Sequence, residues 1–386
     1  MQGKHATGIV LGGGLSGLLL AERLAGNPEN RTRVTVVEPR TAYDDDRTWS
    51  FWRVGPHRFE HLVEQGWDRF AWSAAGWRQP ARSKCHPYQS IPSARVYGQA
   101  LNAIHGSDLI DLQLGTTAHG VRELATGVEV VTDRGVLKAD WVIDTRPMRA
   151  PEGVIVQRFE GARIKTGSAS FDPTCAGIME DMRVDQLGFG FVYLLPFSPD
   201  EALIEVTRFA TAPLPAGLLE AELSAACARL ANGGYEVVRR EHGAIPMSVD
   251  VPVVSNGNGR IVDAGRRGGA ARPSTGYAFQ RIDSWAERAS GEIAAGRMPS
   301  GHPADSPLYR TLDRIFLQVL ANHPELAPSL FLALAAHTPV NCLVRFLSDA
   351  AGPFDVAAVV AALPPLPFLG ALIAPARSTV IEEALA

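Results

Sequence analysis

The chain has 386 residues, of which 46% are hydrophobic and 20% charged, and its formal net charge is −4 at pH 7. A disordered chain would be poorer in apolar residues, and 37 glycines without a three-residue period exclude a collagen-like fibre. The mild negative charge gives no reason to expect nucleic acid as a partner. The length predicts two or three domains of about 100 to 200 residues each.

Two further patterns concern the cellular compartment. The four cysteines lie far apart, without a CxxC pair or a Cys/His cluster at metal-ligand spacing, so we expect free thiols and no bound metal. The segment of residues 1–7 is short and polar, which predicts no signal peptide.

Residues 357–374 carry no charge but contain three prolines, which disfavour a straight membrane-spanning helix. Partial insertion into a membrane and a buried helix pair are the two alternatives for this segment.

The first forty residues predict a strand, a glycine turn, a helix and a second strand. Residues 8–11 form a short apolar run, 15–25 have an apolar helical pattern, and 34–37 form a second apolar run. In dinucleotide-binding folds the turn needs a glycine for tightness, one for backbone approach to a pyrophosphate, and one for close helix packing. The glycines at these positions are Gly12, Gly14 and Gly17.

Glu38 ends the second strand and indicates which dinucleotide binds. An acid at this position accepts hydrogen bonds from ribose hydroxyls and disfavours a 2′-phosphate. A glycine motif so near the N-terminus is typical of FAD-binding chains. The sequence therefore favours FAD over NAD.

The middle of the chain is rich in strands. Residues 128–132 and 136–139 flank Asp133-Arg134-Gly135 and predict a hairpin. A second β-rich region spans about 155–246, with strands expected at 189–195 and 203–209. We expect it to form a sheet that covers the flavin ring.

A second glycine-rich region follows residues 261–263, a short strand that ends in aspartate. The following residues predict a helix that opens at 272–277 and ends at about 288. In flavin folds this arrangement brings a carboxylate near the ribityl chain and a helix N-terminus near the isoalloxazine ring. A plain glycine loop ahead of a helix is the alternative. The cofactor-binding residues predicted here are Asp263, Gly268, Gly269, Thr275 and Gly276.

These patterns predict an α/β fold with three parts. A Rossmann-like FAD-binding domain contains an inserted mixed β-sheet substrate domain, and a helical C-terminal region follows. The predicted bounds are 1–80, 95–150 and 255–300 for the FAD-binding domain, 80–95 and 151–250 for the substrate domain, and 301–386 for the helical region.

Motifs along nearly the whole chain resemble one known family, the flavin-dependent lycopene cyclases of the bacterial β-cyclase type. The resemblance implies a fold like that of flavoprotein hydroxylases and bound FAD in its reduced form. It also implies cyclisation of a linear carotenoid end group without net redox change, with room for NAD(P)H as an indirect reductant. A polyene substrate resides in lipid, which implies a cytoplasmic protein peripheral on the inner face of the cytoplasmic membrane. Besides the Gly12–Gly17 turn, the motifs include DRTWSF (46–51), FVYLLP (191–196), GAIPM (243–247), RPSTGYAF (272–279) and VRFLSD (344–349).

The chain departs from this family at two places. Glu205-Val206 stands where the family usually carries two adjacent acids, and the acids of the segment 179–183 are shifted by one residue. The lost acid leaves an alternative open, an FAD-dependent monooxygenase or reductase acting on another hydrophobic isoprenoid. A carotenoid or flavin binder without turnover is a third hypothesis.

Glu205 is the first candidate for the acid that protonates an alkene, since burial on an aromatic-rich strand would keep its proton available at neutral pH. A salt bridge from Glu205 to Arg208 is the alternative, and Glu180 and Asp181 compete for the acid role. From the DRTWSF motif we add Arg47 to the cofactor-binding residues. The residues predicted to line the substrate pocket are Trp49, Phe51, Trp52, Tyr193 and Tyr277.

Overall fold

The computed structural model describes residues 6–250 and 259–373. The predicted domain ends at residues 1–5, 255–258 and 374–386 lie outside the described residues. Strands form where apolar residues run continuously or alternate with polar ones, and those between residues 155 and 247 are the longest. In chain order they are β1 Thr7–Leu11, β2 Arg33–Glu38, β3 Thr48–Trp52, β4 Gln65–Trp67, β5 Arg69–Ala74, β6 Trp77–Arg82, β7 Tyr88–Pro92, β8 Ile110–Leu114, β9 Ala118–Leu124, β10 Gly127–Thr132, β11 Gly135–Ala139, β12 Trp141–Asp144, β13 Ile155–Thr166, β14 Cys175–Asp185, β15 Gly188–Ser198, β16 Glu201–Ala210, β17 Tyr235–Met247 and β18 Ile261–Asp263.

Helices occupy two places, between strands in the first part of the chain and in succession after β18. Helix α5 has a capped start, where the Ser306 side chain accepts from the Tyr309 amide and Pro307 takes the first position. The helices are α1 Leu15–Gly26, α2 Ser93–His105, α3 Leu218–Leu230, α4 Phe279–Ala294, α5 Pro307–Asn322, α6 Ala327–His337, α7 Val340–Leu347, α8 Pro353–Ala361 and α9 Pro365–Ile373.

A parallel five-stranded sheet in the order β18-β12-β1-β2-β8 forms the first layer. Its strands are short apolar runs because both faces are covered, as parallel sheets require. The predicted strand, helix and second strand are confirmed as β1, α1 and β2. The predicted hairpin is confirmed as β10 and β11. Since parallel strands end at one edge, Leu11, Glu38, Asp144 and Asp263 all come to the same side of the sheet.

A seven-stranded mixed sheet in the order β17-β13-β16-β15-β14-β5-β6 forms the second layer. Its pairs are antiparallel except that β5 runs parallel to β14. The two strands predicted around residues 189–209 are confirmed as β15 and β16. Alternate side chains take opposite faces, so Val206 packs against Leu223 of α3 while Glu205 and Thr207 face the other way. The predicted α/β architecture with an inserted mixed sheet and C-terminal helices is confirmed.

Strands β5 and β6 belong to the seven-stranded sheet, and β7 belongs to a separate sheet with β3 and β4. One predicted helix boundary is wrong. The helix expected from 272–277 begins only at Phe279. The physical reason is a closed turn, in which the Gly276 amide donates to the Arg272 carbonyl at 2.8 Å and Gly276 has a φ of +74°.

The Arg272 side chain fastens this turn to the C-terminal helices. It is 1% exposed, and its guanidinium lies 3.2 Å from a carboxylate oxygen of Asp313 on α5 and 3.5 Å from one of Asp349. It also donates to the Phe346 carbonyl at the end of α7. A single buried cation therefore joins the loop before α4 to α5 and α7.

We expect Arg272→Met to lower the free energy of unfolding by about 3–5 kcal/mol, because it leaves the buried Asp313 carboxylate without its cation. Urea unfolding followed by circular dichroism measures this as a lower midpoint. Arg122→Met is the matched control, since Arg122 pairs with Glu129 at 2.7 Å but its side chain is 71% exposed. The control should cost less than about 1 kcal/mol. Equal effects of the two substitutions would contradict the anchoring role of Arg272.

Candidate functional site

A cavity of about 1870 Å³ lies between the two large sheets and the C-terminal helices. Its walls come from the glycine turn after β1, strand β3, one face of the seven-stranded sheet, and helices α4 to α9. Sites for a single small ligand are usually about 300–1,000 Å³. This cavity is therefore large enough for a dinucleotide and a second, extended molecule.

The glycine turn has the geometry that a dinucleotide requires. Gly12 has a φ of +96°, which favours glycine, and a Cβ on Gly17 would lie 2.0 Å from the Gly12 carbonyl oxygen. Gly14 lines the cavity, and a Cβ there would meet no atom within 4 Å. The turn is thus tight at Gly12 and Gly17 and open towards the cavity at Gly14, as close approach of a phosphate requires.

Glu38 is 4% exposed and holds this turn to the end of β2. One of its carboxylate oxygens accepts from the Gly13 amide at 2.6 Å, and the other accepts from the amide and Nε of Arg40 at 2.9 Å each. Glu38 also lines the cavity. Its carboxylate is therefore fixed at the position where a ribose would meet it.

The second glycine region divides into two parts. Thr275 and Gly276 line the cavity, but Asp263, Gly268 and Gly269 do not. Arg267 Nε lies 2.5 Å from Asp263 Oδ1, while Asp263 Oδ2 is buried without a hydrogen-bond partner. An unpaired buried acceptor is costly, so Asp263 has capacity for one further donor, although its side chain does not open on the cavity.

Two arginines give the cavity a positive wall. Arg47, which the sequence predicted, and Arg266, which it missed, both line the cavity. Arg266 Nη1 donates to the Ala244 carbonyl at 2.8 Å. Burial, followed by the like charge of Arg47, lowers the pKa of Arg266. Two neighbouring guanidiniums attract an anion, and the Arg266-Arg267 pair after Asp263 was the signal in the sequence.

Two carboxyl groups meet on the cavity face of the seven-stranded sheet. Gly161 on β13 pairs with Glu205 on β16 and with Glu241 on β17. A Cβ on Gly161 would lie 2.6 Å from Glu205 Cγ and 3.1 Å from Glu241 Cγ. Because Gly161 has no side chain, the two glutamates reach across the middle strand and share a hydrogen bond. We call Glu205 and Glu241 the carboxyl pair.

The two members of the carboxyl pair have different surroundings. Glu241 Oε2 accepts from the Thr48 hydroxyl at 3.0 Å and lies 3.3 Å from Arg239 Nη1. Burial and then the Glu241 charge raise the pKa of Glu205 well above its usual range. Burial also raises the pKa of Glu241, but the hydrogen bond from Glu205 and the charge of Arg239 oppose that rise. Of the two, Glu205 is therefore the member that holds a proton more readily.

The structure puts the other predicted acids elsewhere. Glu180 bonds to the Ser73 hydroxyl and to Arg78 Nε, while Asp181 pairs with Arg229 and is about half exposed. Neither lines the cavity. Register shifts in β14 on both sides of Glu180 turn this segment away from the regular alternation.

The alternative salt bridge from Glu205 to Arg208 is wrong. Residues 205 and 208 take opposite faces of β16, and Arg208 pairs with Asp185 at 2.8 Å and with Glu222 of α3. The alternation along a strand is the physical reason.

All five predicted aromatic pocket residues line the cavity, in two groups. Trp49 and Phe51 pack on Phe279, with the Phe51 and Phe279 rings stacked at 5.0 Å. Trp52, Tyr193 and Tyr277 surround Tyr88, which the sequence analysis missed, and the Tyr88 and Tyr193 hydroxyls lie 2.7 Å apart. Burial raises the pKa of both tyrosines, so they stay neutral. The second group lies next to Glu205, because Tyr193 pairs with it across the sheet.

Comparison with known sequences identifies similar proteins over nearly the whole chain. The sequence profile of the family described as Lycopene cyclase protein matches residues 8–373. A lycopene beta-cyclase of Pseudescherichia vulneris is 25% identical over 382 residues, covering 93% of this chain and 94% of the other. A lycopene beta-cyclase of Pantoea ananas is 27% identical over 401 residues, covering 95% and 97%.

Solved structures with the same fold are flavoproteins and reductase-like proteins. A geranylgeranyl bacteriochlorophyll reductase-like protein from Thermoplasma acidophilum has a TM-score of 0.58 at 12% identity, covering 93% of this chain and 96% of the other. A p-nitrophenol 4-monooxygenase from Pseudomonas putida has a TM-score of 0.57 at 14% identity, and the match covers 95% of this chain and 98% of the other. A flavin-dependent monooxygenase in complex with FAD and substrate has a TM-score of 0.56 at 14% identity, and the match covers 93% of this chain and 71% of the other. The predicted flavoprotein-hydroxylase-like fold is thus confirmed.

We expect Gly14→Val to weaken FAD binding by at least about tenfold, or about 1.4 kcal/mol, because the new side chain fills the space that a pyrophosphate would take. Flavin absorbance per mole of purified protein and titration of the apoprotein with FAD measure the effect. Gly26→Val is the control, since a Cβ on Gly26, at the far end of α1, also meets no atom within 4 Å. Equal flavin content in both variants would contradict a dinucleotide site at this turn.

Proposed function

Because the chain belongs to the lycopene cyclase protein family, we propose that it cyclises the end group of a linear carotenoid, as in the conversion of lycopene to β-carotene. The observation that carries this proposal is the position of Glu205, which lies beside Glu241 across Gly161 on the wall of a large cavity rich in aromatic side chains. A carotene has no heteroatom, so a proton donor in an apolar space is the chemical group that its cyclisation needs.

The reaction begins with proton transfer from Glu205 to the terminal double bond of the polyene. An alkene is a very weak base, so the acid must keep its proton until substrate arrives and must act where water is excluded. The resulting carbocation closes the ring by attack of the next double bond. Loss of a proton from a neighbouring carbon then gives the ring double bond, so that one proton enters and one leaves without net redox change.

Aromatic side chains around Glu205 support the cationic stage. Trp52, Tyr193 and Tyr277 present ring faces and neutral hydroxyl groups to the same part of the cavity. Ring faces stabilise a nearby cation by about 0.5–2 kcal/mol each, more in the absence of water. They cannot capture the cation as water would, and thus favour ring closure.

FAD is the proposed cofactor, in its reduced form, with NAD(P)H as an indirect reductant. Gly12, Gly14 and Glu38 would bind its pyrophosphate and ribose, and the positive wall of Arg47 and Arg266 would attract its negative charge. When bound, the anionic reduced flavin supplies negative charge near the developing carbocation. Thr275 and Gly276 on the cavity wall complete the proposed set, and Gly17 keeps the turn tight. Asp263, Gly268 and Gly269, which the sequence also predicted, do not line the cavity.

A monooxygenase or reductase was the main alternative because one of two family acids is replaced by Val206. Val206 is 1% exposed and packs on α3, on the face of the sheet opposite the cavity. Glu241 meanwhile adds a second carboxyl group on the cavity face. The substitution at residue 206 therefore removes no carboxylate from the cavity and no longer favours the alternative.

The proposed substrate resides in lipid, and the C-terminal helices support peripheral membrane contact on the inner face of the cytoplasmic membrane. Among the described residues no single helix is long and apolar enough to cross a membrane. By length and composition alone, α8 and the α9 residues up to Leu372 are together long and apolar enough, but they are bent by 107°. Phe354 and Leu366 on this bent pair are 72% and 79% exposed. Phe368 and Leu372 of α9 also line the cavity, which supports entry of substrate beside this pair.

We expect the FAD-loaded protein to form β-carotene or a monocyclic product from lycopene in liposomes, with a reductant and without oxygen. Glu205→Gln should lower kcat by about 10²–10⁴-fold with flavin retained, because an amide cannot protonate an alkene. Chromatography of the carotenoids measures both. Glu180→Gln, a glutamate outside the cavity, should keep near-normal activity. Absence of cyclic product from the wild type beside a working cyclase, or NADPH consumed in proportion to substrate, would refute the cyclase proposal.

Membrane contact makes a separate prediction. Phe354→Asp combined with Leu366→Asp should weaken liposome binding by at least about tenfold, since each buried apolar side chain contributes about 1.5–3 kcal/mol. Sedimentation with liposomes measures this. Turnover should fall with lycopene in liposomes but not with lycopene in detergent micelles. Val136→Asp is the control, since Val136 is 54% exposed on the β10–β11 hairpin. Equal liposome binding by both proteins would count against contact through α8 and α9.

A further inference from the structure

We propose that Glu241 is a positioning residue that keeps Glu205 protonated, as the ionised half of a pair that holds a single proton across Gly161. This inference rests on the proposed role of Glu205 as the acid and adds a second carboxyl group to it. Glu241 lies outside every sequence motif that pointed to catalysis, and only the sheet register brings it to the site.

The register creates one row of side chains across four neighbouring strands. In spatial order the row is Glu241, Gly161, Glu205 and Tyr193, from β17 through β13 and β16 to β15. Side chains in such a row share a face, and direct neighbours lie about 4.5–5.5 Å apart at Cβ. Glu205 and Glu241 are second neighbours, and any side chain between them would separate them. Gly161 is therefore the feature that lets the carboxyl pair form.

The positive charge near the carboxyl pair is enough to stabilise one ionised carboxylate but not two. Arg239 lies 3.3 Å from Glu241, but its Nε also lies 3.5 Å from an Asp45 carboxylate oxygen. Thr48 donates its hydroxyl hydrogen to Glu241. On the other side Tyr193 presents a neutral hydroxyl near Glu205. The cation and the hydrogen-bond donor thus both stabilise charge on Glu241, and the proton remains on Glu205.

This arrangement has a consequence for turnover. When the O–H bond of Glu205 breaks and a C–H bond forms on the polyene, Glu205 becomes negative beside the already ionised Glu241 in a buried site. Like charges this close strongly favour uptake of one proton. Since ring formation releases one proton for each consumed, the pair regains its single proton and the acid is restored.

The first test is the pH dependence of kcat in the FAD-loaded protein. Replacing Glu241 by Gln removes a negative charge beside Glu205, which favours ionisation of Glu205 and lowers its pKa. Since only protonated Glu205 is active, the alkaline fall in kcat should move to lower pH, by about one to three units. A lower kcat with an unmoved alkaline limb would overturn the proposal, because a purely structural role predicts that result.

Gly161→Ala is the second variant, and it leaves both glutamates in place. Its Cβ would clash with Glu205 Cγ and separate the carboxyl pair, so the alkaline limb should again move to lower pH. Gly177→Ala is a matched control, because a Cβ there would lie 2.6 Å from the Cγ of Glu180, a glutamate outside the cavity. The control should leave the alkaline fall in kcat at the wild-type pH. If kcat falls at the same pH in the two alanine variants, the proposal is overturned.

Infrared spectroscopy of the substrate-free protein separates this inference from the proposed function. The wild type should have a C=O band of a protonated carboxylic acid at neutral pH, and Glu205→Gln should lack it. In Glu241→Gln the band should disappear at lower pH than in the wild type. If the band behaves so while lycopene is not cyclised, the carboxyl pair stands and the cyclase proposal fails. A band that titrates alike in Glu241→Gln and wild type would overturn the pair.

Discussion

The two-sided packing of the seven-stranded sheet is the constraint on which the rest of the site depends. One face packs on α3 through residues such as Val206 and Ile204, which are almost fully buried. The period of two along each strand then sends Glu205 and Thr207 to the cavity. A register slip of one residue would bury the carboxyl against α3 and put valine in the cavity. The hydrophobic contact with α3 therefore decides which face carries the chemistry.

A second requirement is that the C-terminal helices stay in place against the cavity. Helices α5 to α8 pack on the seven-stranded sheet through apolar side chains, for example where the Phe189 and Phe331 rings stack at 5.4 Å. Charged side chains fix the positions of these helices further. Arg272 and Arg281 both approach Asp349, at 3.5 and 3.3 Å, while Arg345 and Asp355 join α7 to α8 at 2.6 Å. The VRFLSD motif thus supplies partners for helix positioning. Its contribution to function is indirect, since it keeps α5 to α9 over the aromatic wall.

The parts of the site that were predictable from sequence are those set by local backbone needs. A strand, three spaced glycines and a helix specify a tight turn on their own, and Glu38 follows at the end of the next strand by simple spacing. The β10–β11 hairpin is equally local, since its turn residues lie between two alternating segments. In these places the chain has no competing arrangement that would satisfy the same residues.

The parts that were missed depend on register between distant strands. Glu241 lies 36 positions after Glu205, and only the pairing of both strands with β13 brings the two together over Gly161. Glu180 and Asp181 were misassigned for a related reason, because irregularities in β14 break the alternation there. The late start of α4 has a tertiary cause as well, since Arg272 is held by the C-terminal helices. None of these contacts leaves a pattern within a short window of sequence.

The cavity lining contains both polar and apolar groups, and this reconciles an acid with a hydrocarbon substrate. The glycine turn, Arg47 and Arg266 contribute polar groups, while the α8–α9 pair contributes apolar side chains. An uncompensated carboxylate in the apolar part would be costly, but a neutral carboxylic acid bonded to a fixed carboxylate costs much less. Sharing one proton over Gly161 therefore permits acid chemistry beside an apolar chain. Because positive charge near the pair is scarce, two ionised carboxylates are unfavourable there. Glu205 therefore still holds its proton when the substrate binds.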